Sequence, residues 1–251
     1  MTNLPSPPEL TTYPTHPPEA ATALGSTLVL IPHPDDESLG CGGLLALLRQ
    51  ANLPVWCVLV SDGTMSHPNS QKFSASARQH LREEELRAAL RELAVPTADL
   101  QTLELPDGAV PTPKEATGVA AVEKLVAILQ QYQPDSVLVP WRRDPHPDHR
   151  ATSALALAAL AHLTHPPRMV EYVVWAWERA SPTDLPQPGE VQGWQLDISP
   201  VLRQKQRAIA CHRSQLPGSP IDDDPAGFTL APSMLAHFSQ PTEVFLEASG
   251  G

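Results

Sequence analysis

Histidine and carboxylate side chains are concentrated in two short stretches of the chain. The first stretch, from Ile31 to Gly43, carries one imidazole and three carboxylates within five consecutive residues, HPDDE. The second, from Pro145 to His149, reads PHPDH and follows about a hundred residues later. Imidazole nitrogens and carboxylate oxygens are common ligands of a catalytic zinc ion. We therefore expect the two stretches to meet around one divalent metal ion.

The first stretch can supply two ligands and a base. His33 and Asp36 are close in the chain and can reach one ion from the same side. A catalytic zinc ion takes three protein ligands and keeps a fourth position for water, so one histidine of the second stretch would complete a His2Asp set. Asp35, adjacent to a ligand, is the natural candidate for the base that takes a proton from the metal-bound water. Glu37 either favours the helix dipole or bonds a partner of a ligand.

The second stretch leaves one histidine that is not needed as a ligand. That imidazole can donate to the oxyanion that forms on an attacked carbonyl. Asp148 is close to it in sequence and can orient the ring, as acids behind a metal site often do. Pro34 and Pro147 stiffen the two loops, which lowers the entropic cost of fixing the ligands. A single His-Pro-Asp tripeptide is often only a turn, but two of them at strand ends favour a metal site.

Both stretches follow apolar segments that are typical of buried strands. The first strand is predicted at Thr27 to Ile31, and the fourth at Ser136 to Trp141. Further strands are predicted at Val55 to Val60, Leu100 to Leu105 and Met169 to Trp177, with an edge strand at Trp194 to Ile198. Helical patterns lie between and after them, at Ser38 to Gln50, Ala77 to Val95, Val119 to Gln131, Ala151 to His162 and Val201 to His212.

The alternation of strands and helices predicts an α/β fold, a three-layer Rossmann-like domain with a mostly parallel sheet. Such sheets bind ligands beyond the C-terminal ends of their strands, which is where both stretches lie. The fingerprint G-x-G-x-x-G follows none of the predicted strands, so the fold does not indicate NAD. Residues 1–24 are rich in Pro, Thr and Ser and predict an N-terminal tail, disordered or laid across the surface. Residues 25–251 predict a single domain.

Composition limits the classes of partner. The formal net charge of −11 argues against nucleic-acid and anionic-membrane partners, which need a basic surface. No run of eighteen apolar residues is present, so no membrane span is predicted. The N-terminus lacks the basic and apolar regions of a signal peptide, which makes the cytoplasm the expected compartment. Cys41, Cys57 and Cys211 have no disulfide or thiolate-zinc spacing and are expected to be small buried hydrophobes.

Four motifs resemble the PIG-L/LmbE-like family of N-deacetylases. They are P-H-P-D-D-E at Pro32 to Glu37, H-P-D-H at His146 to His149, R-x-x-E at Arg82 to Glu85 and C-H-R-S-Q at Cys211 to Gln215. The first two together are specific, the last two are supportive, and the resemblance covers nearly the whole chain after the tail. It implies zinc-dependent hydrolysis of the acetamido group of an N-acetylglucosamine-type sugar or glycoconjugate, a small-molecule substrate.

By motif position, the resemblance also implies the ligands and the base. His33, Asp36 and His149 take the positions of the zinc ligands, and Asp35 takes that of the general base. A His2Asp site also accepts Fe2+, Co2+ or Mn2+, because metal availability decides as much as affinity.

The resemblance implies three further roles. His146 takes the position of the residue that stabilises the tetrahedral intermediate, with Asp148 behind it. Arg82 is a candidate contact to a polar or anionic part of the substrate. The alternative for Arg82 is an ion pair with Glu85 on the helix surface.

Other functions stay open at the level of sequence. One keeps the metal and changes the bond, as in an amidase that acts on another acyl-amine. Another is a non-catalytic sugar-binding or metal-storage protein on the same fold, although Asp35 and His146 count against it, because binding zinc needs neither.

Two structural points also have alternatives. Trp175 and Trp177 serve either a homo-oligomer interface or the sheet core. The loop Ser61 to Ser76 is either a lid over the substrate or a solvated loop.

Overall fold

One mixed sheet organises residues 8–249, which the computed structural model describes. Its strands are Thr15–His16 (β1), Thr27–Ile31 (β2), Val55–Ser61 (β3), Gln101–Leu105 (β4), Ser136–Pro140 (β5), Arg168–Tyr172 (β6), Val191–Asp197 (β7) and Thr242–Ala248 (β8). They lie side by side in the order β1-β7-β8-β6-β5-β2-β3-β4. Neighbouring strands are parallel except for β8, which is antiparallel to both β6 and β7.

Helices cover both faces of this sheet. They are Pro8–Thr11 (α1), Asp36–Gln50 (α2), Ala75–Glu92 (α3), Ala116–Tyr132 (α4), Pro147–Leu160 (α5), Leu202–Cys211 (α6) and Pro232–Phe238 (α7). Successive residues of β2 face opposite layers, because side chains alternate along a strand. Val29 and Ile31 join the apolar cluster of α2, α3 and α6, whereas Leu28 and Leu30 join that of α4 and α5. The predicted three-layer α/β fold with a mostly parallel sheet is confirmed.

The strand that was expected at Met169 to Trp177 is shorter than its sequence suggests. It ends at Tyr172, and Trp175–Trp177 form a short 3-10 turn, so the prediction is wrong beyond Tyr172. The main-chain N–H of Trp175 donates to a carboxylate oxygen of Asp144 at 2.9 Å, outside the sheet. This tertiary contact overrides the β propensity of the aromatic and β-branched side chains.

The N-terminal residues extend the sheet. Strand β1 pairs in parallel with β7, so the predicted edge strand is an internal strand between β1 and β8. Leu10 and Leu24 are buried, and a 3-10 helix spans Pro18–Leu24. Residues 8–24 of the predicted tail therefore lie against the sheet, and its residues 1–7 lie outside the described residues.

Helix α2 approaches its neighbours closely at two glycines. A Cβ atom at Gly40 would overlap the Tyr172 ring, and one at Gly43 would overlap the Ile198 side chain. The helix is interrupted between these glycines at Cys41, where φ is −144° and ψ is 15°. The interruption separates the first turn of α2, which carries the acidic residues of the first cluster, from the rest of the helix.

Several smaller expectations can be compared with the structure. Cys41 and Cys57 are buried and Cys211 is half-buried, and all three are free thiols. Ala94 has a φ of 59°, in the left-handed region that favours glycine, so the alanine strains the backbone there. No helix between residues 8 and 249 combines the length and apolar character needed to cross a bilayer.

Candidate metal and active site

The two sequence clusters meet at the C-terminal edge of the sheet. Strands β2 and β5 are adjacent and parallel, so the loops that follow them leave from the same edge. His33 lies in the loop after β2, and His146 and His149 lie at the start of α5. The imidazole centroids are 4.7 Å apart for His33 and His146, 5.4 Å for His33 and His149, and 5.1 Å for His146 and His149.

The three residues predicted as ligands face one another. Oδ2 of Asp36 lies 3.2 Å from Nδ1 of His33 and 3.1 Å from Nε2 of His149. All three side chains are buried, and within the described chain neither ring nitrogen of His149 has a hydrogen bond of good geometry. Two nitrogens and one oxygen in this arrangement can surround a single cation. The ligand roles themselves stay a prediction.

The other ring nitrogen of each histidine predicted as a ligand lies near a carboxylate. Nε2 of His33 is 3.0 Å from Oδ2 of Asp148 and 3.3 Å from Oδ1 of Asp107. Nδ1 of His149 is 3.4 Å from Oδ1 of Asp144. Histidines that bind a metal usually donate their second N–H to an acid, which fixes the tautomer and strengthens the ligand. This donor set fits a divalent cation bound through Nδ1 of His33 and Nε2 of His149.

Two groups of donors around His33 are close enough to hold a metal, and neither contains Asp36. They are His33 with His146 and His149, and His33 with Asp107 and Asp148, and the donor atoms of each group lie within 4.8 Å of one another. We favour the set that contains Asp36, because its oxygen lies between nitrogens of both histidines. That set also leaves the carboxylate at 148 to accept from His33.

Carboxylates give this edge of the sheet a preference for positive charge. Burial lowers the pKa of His149, but Asp36 and Asp144 outweigh it and raise that pKa to about 9. The carboxylates around His33 raise its pKa in the same way, against the effect of burial. The pKa of Asp36 falls despite burial, because the two imidazoles favour its ionised form. A divalent cation can satisfy the same carboxylates that otherwise favour protonated imidazoles.

His146 caps α5 and lines a cavity beside the cluster. Its Nδ1 accepts a hydrogen bond from the main-chain N–H of Asp148 at 3.2 Å, so the neutral ring carries its proton on Nε2. Burial lowers the pKa of His146 to about 4, helped by the imidazoles of His149 and His33. Asp148 thus orients His146 through its main chain, whereas its carboxylate bonds His33 and two backbone amides. A neutral imidazole with a proton on Nε2 can donate to an oxyanion.

Asp35 has an unusual backbone conformation. Its φ is 138°, which L-residues rarely adopt and which often marks a functional site. Burial and the neighbouring Asp36 raise the pKa of Asp35 to about 7, although Arg82, His212 and His33 act in the opposite direction. A carboxylate with a pKa near neutrality can both accept and return a proton. The role of Asp35 as the base stays a prediction.

A family model described as PIG-L, GlcNAc-PI de-N-acetylase, matches residues 28–160, which include both histidine clusters. The chain belongs to the PIG-L family. The family resemblance that the four motifs indicate is therefore confirmed.

Two relatives of this PIG-L chain have deacetylase activities in their names. The chain is 29% identical over 191 residues to the probable N-acetyl-alpha-D-glucosaminyl L-malate deacetylase 2 of Bacillus cereus, which covers 75% of this chain and 82% of the relative. It is 25% identical, with a TM-score of 0.62, to the structure of N,N'-diacetylchitobiose deacetylase from Pyrococcus horikoshii. That similarity covers 76% of this chain and 71% of the other.

A third similarity concerns the fold alone. The 4-carboxy-2-hydroxymuconate hydratase GalB of Pseudomonas putida is 19% identical, with a TM-score of 0.61 over 90% of this chain and 97% of that chain. Since a similar fold carries a different reaction there, the reaction of this PIG-L member has to be argued from its site residues.

Arg82 lies inside the site. Its side chain is buried, and its guanidinium donates to the carbonyls of Gly63 and Pro34, both at 3.0 Å. The guanidinium nitrogens also lie 3.8 Å from Oδ2 of Asp35 and 3.6 Å from Oδ2 of Asp107. Arg82 therefore connects the proposed base to the neighbouring loops, in a position to contact a substrate.

The C-H-R-S-Q motif braces the helices under the site. Ser214 donates its main-chain N–H and its hydroxyl to Glu85, at 2.8 and 2.6 Å. Glu85 is therefore engaged away from Arg82, which leaves the surface ion pair unformed among residues 8–249. His212 and Glu37 form a second buried contact, with Nε2 of His212 2.8 Å from Oε1 of Glu37. Of the two roles considered for Glu37, the structure shows a bonding role inside the site.

Two carboxylates of the site belong to no sequence motif. Asp107 lies in the turn after β4, and Asp144 lies between β5 and α5. Burial alone would raise the pKa of Asp107, but His33 and Arg82 hold it below its usual range. The position of both residues after the C-terminal end of a strand is the signal that could have identified them.

A cavity of ≈ 200 Å³ adjoins the histidine cluster. Apolar side chains line it together with part of the site, and these residues are Leu39, Met65, Trp175 and Phe228 with His33, His146, Asp35, Asp36 and Asp107. Met65 belongs to the loop predicted at 61–76, and the main-chain N–H of Phe228 donates to the Ser66 carbonyl at 2.6 Å. The 61–76 loop thus forms part of the cavity wall, held there by a second loop.

Proposed function

We propose that this PIG-L chain is a metal-dependent hydrolase that removes the acetyl group from an N-acetylglucosamine-type sugar or glycoconjugate. The observation that carries the proposal is the convergence of His33, Asp36 and His149 beside Asp35 and an open cavity. A metal-storage protein would need neither a base at Asp35 nor a neutral imidazole at His146. The similarity to a glucosaminyl malate deacetylase and to a diacetylchitobiose deacetylase supports an acetamido sugar as the substrate.

His33, Asp36 and His149 are the proposed metal ligands, and zinc is the expected ion. When bound, the ion supplies a Lewis acid that polarises the acetamide carbonyl and acidifies water. Fe2+, Co2+ or Mn2+ would suit the same donors. Elemental analysis of the purified protein, followed by reconstitution with each ion, identifies the metal that supports turnover.

Asp35 and His146 are proposed to move the protons of the reaction. Asp35 takes a proton from the attacking water and returns it to the amine nitrogen as the C–N bond breaks, so amide and water give acetate and amine. Its pKa of about 7 suits both steps. His146 donates from Nε2 to the oxyanion of the attacked carbonyl. Asp148 holds His146 in the required tautomer through its main-chain N–H.

Arg82 is the proposed contact to the sugar. It lines the cavity, and two carbonyls fix its guanidinium before a substrate arrives. A planar guanidinium held in this way can direct its remaining donors to hydroxyl oxygens. Asp107 lies beside Arg82 on the same cavity and can accept from a hydroxyl.

Acetate release tests the function. A panel of N-acetylglucosaminyl conjugates is incubated with the zinc-loaded protein, and acetate is quantified. Asp35→Asn is expected to lower kcat by about 10²–10⁴-fold, because it removes the general base and keeps the shape of the side chain. Asp99→Asn, at an exposed position, is the matched control and should keep full activity. Full activity of the Asp35 variant would contradict the proposed mechanism.

The same assay separates the other functions. Release of a different acid from another acyl-amine indicates an amidase of broader specificity. Metal binding without turnover across the panel indicates a sugar-binding or metal-binding protein. The cytoplasmic location and a homo-oligomer stay predictions, which cell fractionation and light scattering can check.

A further inference from the structure

The cavity wall changes character with distance from the histidine cluster. Asp35 and Asp36, beside the histidines, are buried, with 5% and 2% of their surface exposed. Met65, by contrast, is 52% exposed, and Arg179 is also exposed, so these two lining residues mark the rim of the cavity. Trp175 lies among the same lining residues. The floor is therefore acidic, and the rim combines apolar surface with a cation.

Trp175 is fixed relative to the proposed catalytic residues. Its main-chain N–H donates to Oδ2 of Asp144 at 2.9 Å, and Oδ1 of the same carboxylate accepts from the main-chain N–H of His146 at 2.9 Å. Its ring centroid lies 5.7 Å from that of Phe228 in an edge-on contact. The Trp175 ring is thus a rigid surface whose distance from His146 is set by one carboxylate.

Arg179 lies on this rigid surface. Its guanidinium carbon is 3.9 Å from the centroid of the Trp175 ring, and its main-chain N–H donates to the Trp175 carbonyl at 3.0 Å. In the part of the chain that the structure describes, Arg179 has no carboxylate partner within ion-pair distance. A guanidinium that stacks on an indole keeps its N–H edge available for a planar anion, and the stacking reduces the entropy lost on binding.

Arg82, the other arginine that lines the cavity, differs from Arg179 in having partners within the protein. It is 3% exposed, donates to two carbonyls and lies near the carboxylates of Asp35 and Asp107. The positive charge of Arg82 is therefore balanced inside the protein. The charge of Arg179 is not, although the chain as a whole carries a net charge of −11.

We propose that Trp175 and Arg179 form a subsite for an anionic group, a carboxylate or a phosphate, on the aglycone of the sugar substrate. This inference rests on the proposed deacetylase function, which places the acetamido group at the histidine cluster. The carboxylates of the floor repel an anion, so the anionic end of a substrate is directed to the rim. Attraction at one end and repulsion at the other fix which way the substrate enters.

Three glycosides of N-acetylglucosamine test the subsite. One has a carboxymethyl aglycone, the second is its primary amide, and the third has a phosphoethyl aglycone. The zinc-loaded protein should cleave the better anionic glycoside with a kcat/KM about 10-fold above that of the amide, because a charged hydrogen bond is lost in the amide. The ranking of the carboxymethyl and phosphoethyl glycosides identifies which anion the subsite prefers.

Arg179→Gln should reduce this anion-to-amide ratio to about one. The matched control is Arg207→Gln on α6, which removes an equal charge from an exposed pair with Glu92 of α3 and should keep the native ratio. Raising the salt concentration should lower the ratio of the native protein toward one, since the rim is open to solvent. Calorimetry with the deacetylated carboxymethyl glycoside and its amide should show the same dependence on Arg179 without turnover.

The outcomes separate the subsite from the function. Acetate released equally from all three glycosides, or an unchanged ratio in Arg179→Gln, overturns the subsite and leaves the deacetylase function intact. An equal loss of the ratio in Arg207→Gln also overturns it, because general charge would then explain the preference. No acetate from any glycoside contradicts the deacetylase function, and the subsite with it.

Discussion

Two buried groups of charged residues contact helix α2, and they differ in how completely their members are paired. At the break near Cys41, Nζ of Lys205 donates to the Leu39 carbonyl at 2.8 Å and to Oε1 of Glu243 at 2.7 Å. The two oxygens of Glu243 also accept from the main-chain N–H groups of Gly43 and Leu44, at 2.7 and 2.8 Å. Lys205 and Glu243 together satisfy backbone groups on both sides of the break.

The first turn of the same helix contains charges that are less completely paired. Asp35 has a φ of 138°, and neither ring nitrogen of His149 has a hydrogen bond of good geometry within residues 8–249. Oδ2 of Asp36 lies within 3.2 Å of a nitrogen of His33 and within 3.1 Å of a nitrogen of His149. A buried charge network that is fully paired holds the backbone in place, whereas one that lacks a partner is suited to bind a ligand. We infer from this difference that the paired group near Cys41 stabilises the fold, whereas the first turn of α2 is suited to bind a ligand.

The largest expected effect is a loss of stability when the pair of Lys205 and Glu243 is broken. Glu243→Gln should lower the free energy of unfolding by about 3–5 kcal/mol, because it leaves the charge of Lys205 buried without a counterion. Glu247→Gln is a control on the same strand, since Glu247 pairs with Arg168 near the surface and its loss should cost about 1 kcal/mol or less. Urea denaturation of the two variants measures both values. Equal losses would remove the distinction between the two regions.

Metal binding at His33, Asp36 and His149 should stabilise the folded protein. Zinc at about a hundred times its Kd should stabilise the protein by about 2.7 kcal/mol relative to the protein in chelator, because the ion binds the folded state. His149→Ala should abolish this gain, while His165→Ala, at an exposed position, should keep it. Thermal unfolding with and without zinc measures the difference. A gain that survives in His149→Ala would show that the metal binds elsewhere.

The sequence alone predicted that the residues of one of these two regions would lie together. His33, Asp36 and His149 stood out as candidate ligands because their residue types are rare together and follow two predicted strands, and these strands are neighbours in the sheet. Lys205 and Glu243 could not be found in this way, because nothing in the local sequence indicates that α6 and β8 bring these two side chains to the break in α2.

The remaining differences have similar physical causes. Asp107 and Asp144 follow strand ends, but the sequence does not show which of the polar residues after a strand end reach the two histidines. The end of β6 at Tyr172 depends on the contact between Trp175 and Asp144, two segments that are distant in the chain. Fold class and candidate ligand types thus follow from local pattern, whereas the carboxylates that contact those candidates follow from tertiary structure.

A third prediction concerns Glu37, in the first turn of α2. Its Oε2 accepts from the main-chain N–H of Asp35 at 3.1 Å, and His212 and Ser38 bond its other oxygen. Glu37→Ala should lower kcat by about 10–100-fold, because the strained backbone of Asp35 loses its acceptor and the base is misplaced. KM and zinc content should change little.

Glu37→Gln provides the matching control. The amide keeps an acceptor oxygen for Asp35, so this variant should recover part of the lost kcat. Kinetics and zinc analysis of both variants decide between positioning and metal binding. A loss of zinc in proportion to activity would mean that Glu37 acts on the ligands.

The smallest expected effect is a shift of the pH profile. The positive charge of Arg82 lowers the pKa of Asp35, so Arg82→Gln should raise that pKa. Asp35 must be ionised to act as a base, and the acid limb of kcat/KM should therefore move to higher pH in the variant. Arg87→Gln, which removes a partly exposed pair with Glu83 on the same helix, should leave the limb in place. A limb that moves to lower pH, or moves equally in both variants, would show that Arg82 does not act on the base. The direction of the shift thus shows whether the charge of Arg82 lowers the pKa of Asp35 or whether Arg82 only holds the neighbouring loops in place.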